Sequence, residues 1–413
     1  MSVETFIESK DGPPVGLLET HVELFLKRLR AAGYAERTLS KKRTITESFV
    51  RWIKREGSVV TDLEESHLAA FVNRSPERQI IRINFELAGL RPFLKHLRQE
   101  AVVPEPAPVI DLSPGAELQQ RYVRYLREER GLTENSILVY SRYIHDFLAT
   151  SVAGSATPGE LEAVAIQEFL LNRVRNRSNE YSRLLATALR SFLRFLFVRS
   201  ETMIDLSVSI PTVKTWRQAA VPALFTPEEV ERVVSAPDRS TPGGCRDYAI
   251  LLLLARLGLR AGEVVMLELD DVHWRTAEII IRSKGRVTDS VPLLSDIGDA
   301  MAQYLLNYRG SSDSRRVFLR IQAPRVGLTG PAAVGHIVRR ALVKAEIRPT
   351  RRGAAHIFRH SLATTMFRHG ASMEEIAEVL RHRSQNTTAI YAKVDFEALR
   401  SVARPWPGTG ETL

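Results

Sequence analysis

Apolar residues in the first half of the chain recur at intervals of three and four. Around Gly33 the chain reads "VELFLKRLRAAGYAERTLSKKRTITESFV", and around Gly131 "QQRYVRYLREERGLTENSILVYSRYIHDFL". That spacing is the signature of amphipathic helices. The two stretches also share a register: the offset 131 − 33 = 98 returns from Phe49 to Phe147 and from Phe71 to Phe169. Further on, "LRPFLKHL" from Leu90 matches "LRSFLRFL" from Leu189 at an offset of 99. Chance likeness between two amphipathic helices does not hold register over so many positions. The pattern therefore predicts two successive helical units of about a hundred residues each. Thr61 with Glu64, and Thr157 with Glu160, have capping-box spacing and predict helix starts at comparable places in the two copies.

Residues 1–100 read as the first unit and 118–208 as the second, joined by the proline-rich linker 101–117, "AVVPEPAPVIDLSPGAE". A second linker covers 209–225 and runs into Thr226-Pro227-Glu228-Glu229. There Thr226 can cap, Pro227 suits the first helical position and Glu229 closes the box, so a new domain begins. From 226 to 395 the pattern is mostly helical with one interruption. Ala277 to Leu293, "AEIIIRSKGRVTDSVPL", has β-branched runs on either side of a Lys-Gly turn and predicts a hairpin. Residues 396–413 form a tail. The expected fold class is mainly α (α+β): helical units followed by a mostly helical domain with a small antiparallel sheet.

Composition narrows the function. Hydrophobic residues make up 44% and charged residues 26% of 413, ordinary values for a soluble globular chain. The net charge of +10 predicts an acidic partner, nucleic acid first, because basic surfaces gain from releasing the counterions of phosphates. A single cysteine, Cys245, excludes an intrachain disulfide framework and a Cys-rich zinc module and suits a reducing cytoplasm. The first residues lack the basic-then-apolar layout of a signal peptide, and the most apolar run, Ala249 to Ala255, is too short to cross a bilayer.

The run "HIFRHSLATTMFRHG" sets His356 and His360 four apart, the spacing of half a zinc site. The residue after His356 is Ile357 rather than the glutamate such sites use, no His/Cys cluster lies nearby, and Arg359 shares the face of His356. A fixed guanidinium beside an imidazole repels a cation and suits an oxyanion. Taken alone, a solvated basic helix face explains the run equally well. In "LLLLARLGLRAGEVVML", Arg260 follows Gly258 at the end of an apolar helix, and Glu263 stands three residues on, able to orient it by a charge-assisted hydrogen bond. Arg260 is thus either a surface cap or a charge held for an anion. Lys284 falls at the hairpin tip, where a solvated turn lysine is the plain alternative. "LRHRSQNTTAIYAKV" carries His382 and, nine residues later, Tyr391, which by itself reads as a core or rim tyrosine.

Together, Arg260 in "GLRAGE", Lys284 in a hairpin turn, His356-x-x-Arg359, His382 and Tyr391 resemble, in order and spacing, the tyrosine recombinase (phage integrase) family. "LRHRSQNTTAIYAKV" is similar to that family's Leu-Gly-His…Thr-Thr…Tyr signature. The resemblance covers about 226–395, 118–208 looks like the family's helical core-binding domain, and 19–100 resembles a further copy of it. One position departs: Arg381 stands where the family usually has glycine, and its side chain would add a DNA contact or crowd the site.

The resemblance implies a DNA strand-exchange enzyme acting through a 3′-phosphotyrosine, without ATP, cofactor or metal. Tyr391 would be the nucleophile, Arg260 and Arg359 the phosphate clamp, His382 a further donor, and Lys284 the general acid for the leaving 5′ oxygen. His356 or the arginine field would assist proton removal from a phenol that titrates near pH 10. Two arginines and a histidine can stabilise a pentacoordinate phosphorane where two-metal enzymes use ions. His360 reads as a packing or hydrogen-bonding residue. Implied partners are double-stranded DNA recombination sites gripped in a C-shaped clamp, other copies in a tetramer, and sister recombinases or accessory DNA-bending proteins. Lys214, Arg217, Arg286, Arg381 and Arg383 are the DNA-contacting candidates, the tail would dock on a neighbouring protomer, and the expected location is cytoplasmic, at the nucleoid. Competing readings are a type IB topoisomerase that relaxes supercoils and a DNA-binding regulator without chemistry.

Overall fold

The computed structural model of the chain describes residues 16–74, 80–106, 113–151, 158–213, 224–282, 288–348 and 354–381. By density of contact, residues 107–219 form one compact unit, and 1–106 with 220–413 another.

The repeat is folded twice. Its first copy runs α1 (Gly16–Ala31), α2 (Glu36–Glu56), a 3-10 turn (Val60–Asp62), α3 (Glu65–Val72) and α4 (Ile80–Gln99). The second runs α5 (Pro114–Glu128), α6 (Glu134–Ser151), a 3-10 turn (Pro158–Glu160), α7 (Ala163–Val174) and α8 (Asn179–Val198), the same order of elements. The phenylalanines in register meet in the same way. Phe49 meets Phe71 edge-on at 5.3 Å between ring centroids, and Phe147 meets Phe169 edge-on at 5.1 Å. Each copy has its own hydrophobic core. Gly33 (φ 86°) and Gly131 (φ 58°) both take the left-handed conformation after the first helix of their copy, where a Cβ would be strained.

Two local expectations are corrected. Thr61 does not start a helix; it lies in the 3-10 turn, and α3 begins after Glu64, which forms the capping box with His67 instead. In the second copy Glu160 likewise ends a 3-10 turn and α7 starts at Ala163, while Thr157 lies outside the described residues. A threonine-glutamate spacing serves a tight turn as readily as a helix start, so both copies misled in the same place. The first linker also ends sooner than 117. Ser113 caps α5, its hydroxyl accepting from the Ala116 N–H at 3.3 Å, with Pro114 at the first helical position, where no N–H is needed.

The last body opens as expected. The Thr226 hydroxyl accepts from the Glu229 N–H at 3.2 Å and the Glu229 carboxylate from the Thr226 N–H at 2.9 Å, starting α9 (Pro227–Ser235). There follow α10 (Pro242–Leu257), α11 (Ala261–Met266), a sheet of β1 (Val272–His273), β2 (Glu278–Arg282) and β3 (Thr288–Pro292), then α12 (Ser295–Asn307), α13 (Pro331–Lys344), α14 (Ala354–Arg368) and α15 (Met373–Val379). The sheet is antiparallel in the order β1-β2-β3, and the β2–β3 ladder ends at Arg282 opposite Thr288. The chain is thus mainly α with one small antiparallel sheet. α10 is its central helix: Ala249 through Leu254 are all buried, so the most apolar run of the sequence is a core helix. Among the described residues no helix is long and apolar enough to cross a membrane. Cys245 is buried on α10, and burial pushes its thiol pKa up, away from reactivity.

Candidate active site

Three segments far apart in sequence converge at the end of α10. That helix stops at Gly258, whose φ of 57° no side-chain-bearing residue takes without cost. A Cβ there would stand 2.8 Å from Leu380 Cδ2 and 3.1 Å from Leu362 Cδ2, so glycine is what lets the segment after α15 and the flank of α14 close on it. Two residues later Arg260 forms the N-cap of α11.

Arg359 ties the three together. It is 3% exposed, and its Nη1 donates to the Gly258 carbonyl at 2.6 Å while Nη2 donates to the Leu380 carbonyl. α14 itself is fixed from behind: the Ser361 hydroxyl accepts from the Phe225 N–H at 2.8 Å, and Phe225 meets Phe358 edge-on at 5.3 Å. The resemblance implied that Arg359 clamps phosphate. The structure shows that it first assembles the backbone around the site.

Glu263 is the second knot. Its carboxylate accepts from the Arg260 backbone N–H at 2.8 Å, from Arg260 Nη1 at 2.7 Å and from Arg381 Nη2 at 3.3 Å. Burial alone would push this carboxyl up; the hydrogen bonds from Arg260, with the charges of Arg381 and Arg260, reverse that and hold it below the usual range. The Arg260 side chain is 38% exposed, so it presents a positive charge outward from a buried anchor.

His356, four residues before His360 on α14, is exposed, yet its pKa is lowered, first by partial desolvation and then by Arg359 and Arg260. His356 stands three residues before Arg359 on α14, hence on the same face of that helix. His360 is pushed down to about 4 by desolvation, His356 and Arg359. In both rings the shift favours the neutral imidazole. Among the described residues no three His, Cys, Asp or Glu side chains group as metal ligands. The arrangement suits an anion: one exposed guanidinium, one buried one and a neutral imidazole on a rigid frame.

Arg381 differs from its expected place. Its side chain is 7% exposed and turned onto Glu263, with Nη1 donating to the Val379 carbonyl at 3.2 Å, so it does not face outward as a DNA contact would. Its backbone, at φ 53°, has the left-handed conformation that explains a glycine preference at this position. Position 381 was flagged in the sequence by that departure, but the direction of the side chain was not readable. Gly258 was readable as the end of an apolar helix but not as the point on which two other segments close, and Ser361 carried no sequence signal that separated it from other small residues. Lys284 and Arg286, between β2 and β3 in sequence, and His382, Arg383, Tyr391, Lys214 and Arg217 lie outside the described residues.

Residues 223–398 match the model of the phage integrase family. The chain is 38% identical over 403 residues to the putative integrase/recombinase y4rA of Sinorhizobium fredii, covering 97% of both chains. It is 29% identical to the tyrosine recombinase XerD of Listeria monocytogenes, over 69% of this chain and 97% of that one. Among solved structures it is similar to the XerH site-specific recombinase bound to a palindromic difH substrate, with a TM-score of 0.54 and 19% identity over 70% of this chain and 85% of that one. It is likewise similar to a lambda integrase tetramer bound to a Holliday junction, with a TM-score of 0.52 and 15% identity over 67% of this chain and 76% of that one. At such identities the structural likeness speaks to the fold.

Proposed function

The chain belongs to the phage integrase family, and on that premise we propose that the cluster at the end of α10 is the phosphate-binding half of a DNA strand-exchange site. The protein is a tyrosine recombinase that cleaves and rejoins DNA. The observation that carries the site is that Arg260 and Arg359 share one frame, knotted by Glu263 and by the Arg359 bonds to Gly258 and Leu380, with His356 three residues before Arg359 on α14.

In the mechanism we infer, the Tyr391 phenol oxygen attacks the scissile phosphorus, the bond to the 5′ oxygen breaks, and a 3′-phosphotyrosine remains. Arg260, partly exposed, meets a non-bridging oxygen directly. Arg359 holds the frame and adds its charge to the field. The lowered pKa of His356 favours its neutral form, which can take up the phenol proton as attack proceeds. His382 supplies a further hydrogen bond, and Lys284 protonates the leaving oxygen. A free 5′-hydroxyl of the partner strand then reverses the attack and restores Tyr391. The energy of the broken bond is kept in the tyrosyl ester, so no ATP is consumed.

Relatives of this fold have been solved on recombination-site DNA and as a tetramer on a Holliday junction. We extend that to this chain: it assembles as a tetramer on paired duplex sites, acts at the nucleoid, and integrates, excises or transposes a mobile element. Lys214, Arg217, Arg286 and Arg383 remain the candidates for backbone contacts.

A nicked suicide duplex tests the site. The parent protein is expected to become covalently attached to the DNA, and Tyr391→Phe to bind it with unchanged affinity and form no adduct. An adduct in the Phe variant removes Tyr391 from the mechanism, and loss of cleavage in EDTA returns His356 and His360 to a metal site.

A further inference from the structure

Arg381 breaks two local rules. It occupies φ 53°, where glycine is free of strain, and its buried Nε has no hydrogen-bond partner among the described residues. Glycine at 381 would avoid both costs, and a residue kept against local preference points to a role in the site. Beyond the Nη1 bond to the nearby Val379 carbonyl, what the side chain gains is an ion pair, Nη2 on Glu263 Oε2 at 3.3 Å, between partners only 7% and 6% exposed.

The consequence is a matter of charge. Without Arg381, the Glu263 carboxylate has Arg260 as its guanidinium partner, and that ion pair is neutral. With Arg381 the single negative charge lies between two guanidiniums, and the triad carries one net positive charge. Arg260 is the only one of the three whose side chain reaches solvent appreciably, at 38% against 6% and 7%, so the excess charge is presented there. A phosphate arriving at Arg260 meets a cation that its own carboxylate no longer cancels.

We propose that Arg381 is a positioning residue for strand cleavage, which engages Glu263 and so leaves the charge of Arg260 available to the scissile phosphate. The proposal rests on the assignment of Arg260 to that phosphate. It also replaces the DNA contact expected of Arg381: the residue acts on DNA through two intervening side chains.

The test uses the full-length protein and single-turnover cleavage of a nicked suicide duplex carrying either a phosphodiester or a methylphosphonate at the scissile position. Arg381→Gly, which relieves the backbone, and Arg381→Gln are compared with the parent and with Arg381→Lys. Both uncharged variants should cleave the phosphodiester about tenfold to a hundredfold more slowly, the scale of a lost charge-assisted hydrogen bond, with DNA affinity held within about twofold. Arg381→Lys should recover part of the rate. On the methylphosphonate, whose pentacoordinate state carries one negative charge where that of the diester carries two, the deficit should shrink to about threefold or less. Arg381→Gly cleaving the phosphodiester within about twofold of the parent overturns the proposal, and so do equal deficits on both substrates, which mark a residue that only supports the fold. Arg260→Ala cleaving at the parent rate would instead remove the phosphate assignment beneath it, and is read separately from the Arg381 series.

Discussion

Gly258→Ala is the sharpest test of how the site is assembled. The glycine has a φ of 57°, and a β-carbon in that conformation costs about 1 kcal/mol relative to glycine. The new methyl would stand 2.8 Å from Leu380 Cδ2, 3.1 Å from Leu362 Cδ2 and 3.7 Å from Arg359 Cγ. Leu380 is fully buried, so its side chain has nowhere to swing, and overpacking of this kind costs about 1–3 kcal/mol. The sum, about 2–4 kcal/mol, corresponds to a fall of about 4–16 °C in the melting of a domain of this size. Calorimetry of the full chain should show the shift in the transition of the unit that contains residues 220–413, and not in that of 107–219. Leu380→Val removes the atom in the closest contact, so the double variant should be less destabilised than the sum of the singles by about 1 kcal/mol. Cleavage should fall further than stability accounts for, because moving Leu380 moves the carbonyl on which Arg359 Nη2 rests. A melting shift below about 2 °C, or strict additivity with Leu380→Val, would show that α10 and the segment after α15 are not in the tight approach described.

Two further outcomes follow from the same cluster. Glu263→Gln leaves Arg260 and Arg381 facing an amide; with the Arg381 side buried and the Arg260 side partly solvated, the loss should be about 2–4 kcal/mol in denaturant unfolding, and a change under about 0.5 kcal/mol would refute the knot. His360, pushed down to about 4, makes stability depend on pH with a definite sign. Between an unfolded value near 6.5 and about 4 the unfolded chain binds more protons, so stability falls as pH drops through that window and levels off below it. His360→Gln should remove up to about 3 kcal/mol of that dependence, and unfolding curves for parent and variant that fall in parallel from pH 6.5 to 4 would refute it.

Much of the fold was legible because helical periodicity is a local property. The 98-residue register predicted the paired helical units, and Phe49 with Phe71 and Phe147 with Phe169 meet as that register implies. Thr226 and Glu229 marked the start of the last body because a capping box is satisfied within four residues. The hairpin strands were readable from β-branched runs on either side of a Lys-Gly pair. The same locality explains the errors at Thr61 and in the linker before α5, where side-chain spacing is shared by 3-10 turns and where a helix start lay inside a proline-rich run.

By itself, the sequence determined the residue types of the site and their order along the chain, since phosphate chemistry needs guanidinium, imidazole and phenol whatever the scaffold. The tertiary structure alone decided which way each one faces. Arg359 and Arg381 look alike in sequence as basic residues of helical segments, yet one spans Gly258 and Leu380 and the other turns inward onto Glu263. Their direction depends on contacts 101, 21 and 118 residues away, and on a glycine whose worth lies in the side chain it lacks. No periodicity along the chain encodes contacts of that range; they are set when buried donors and acceptors must find one another as the helices close.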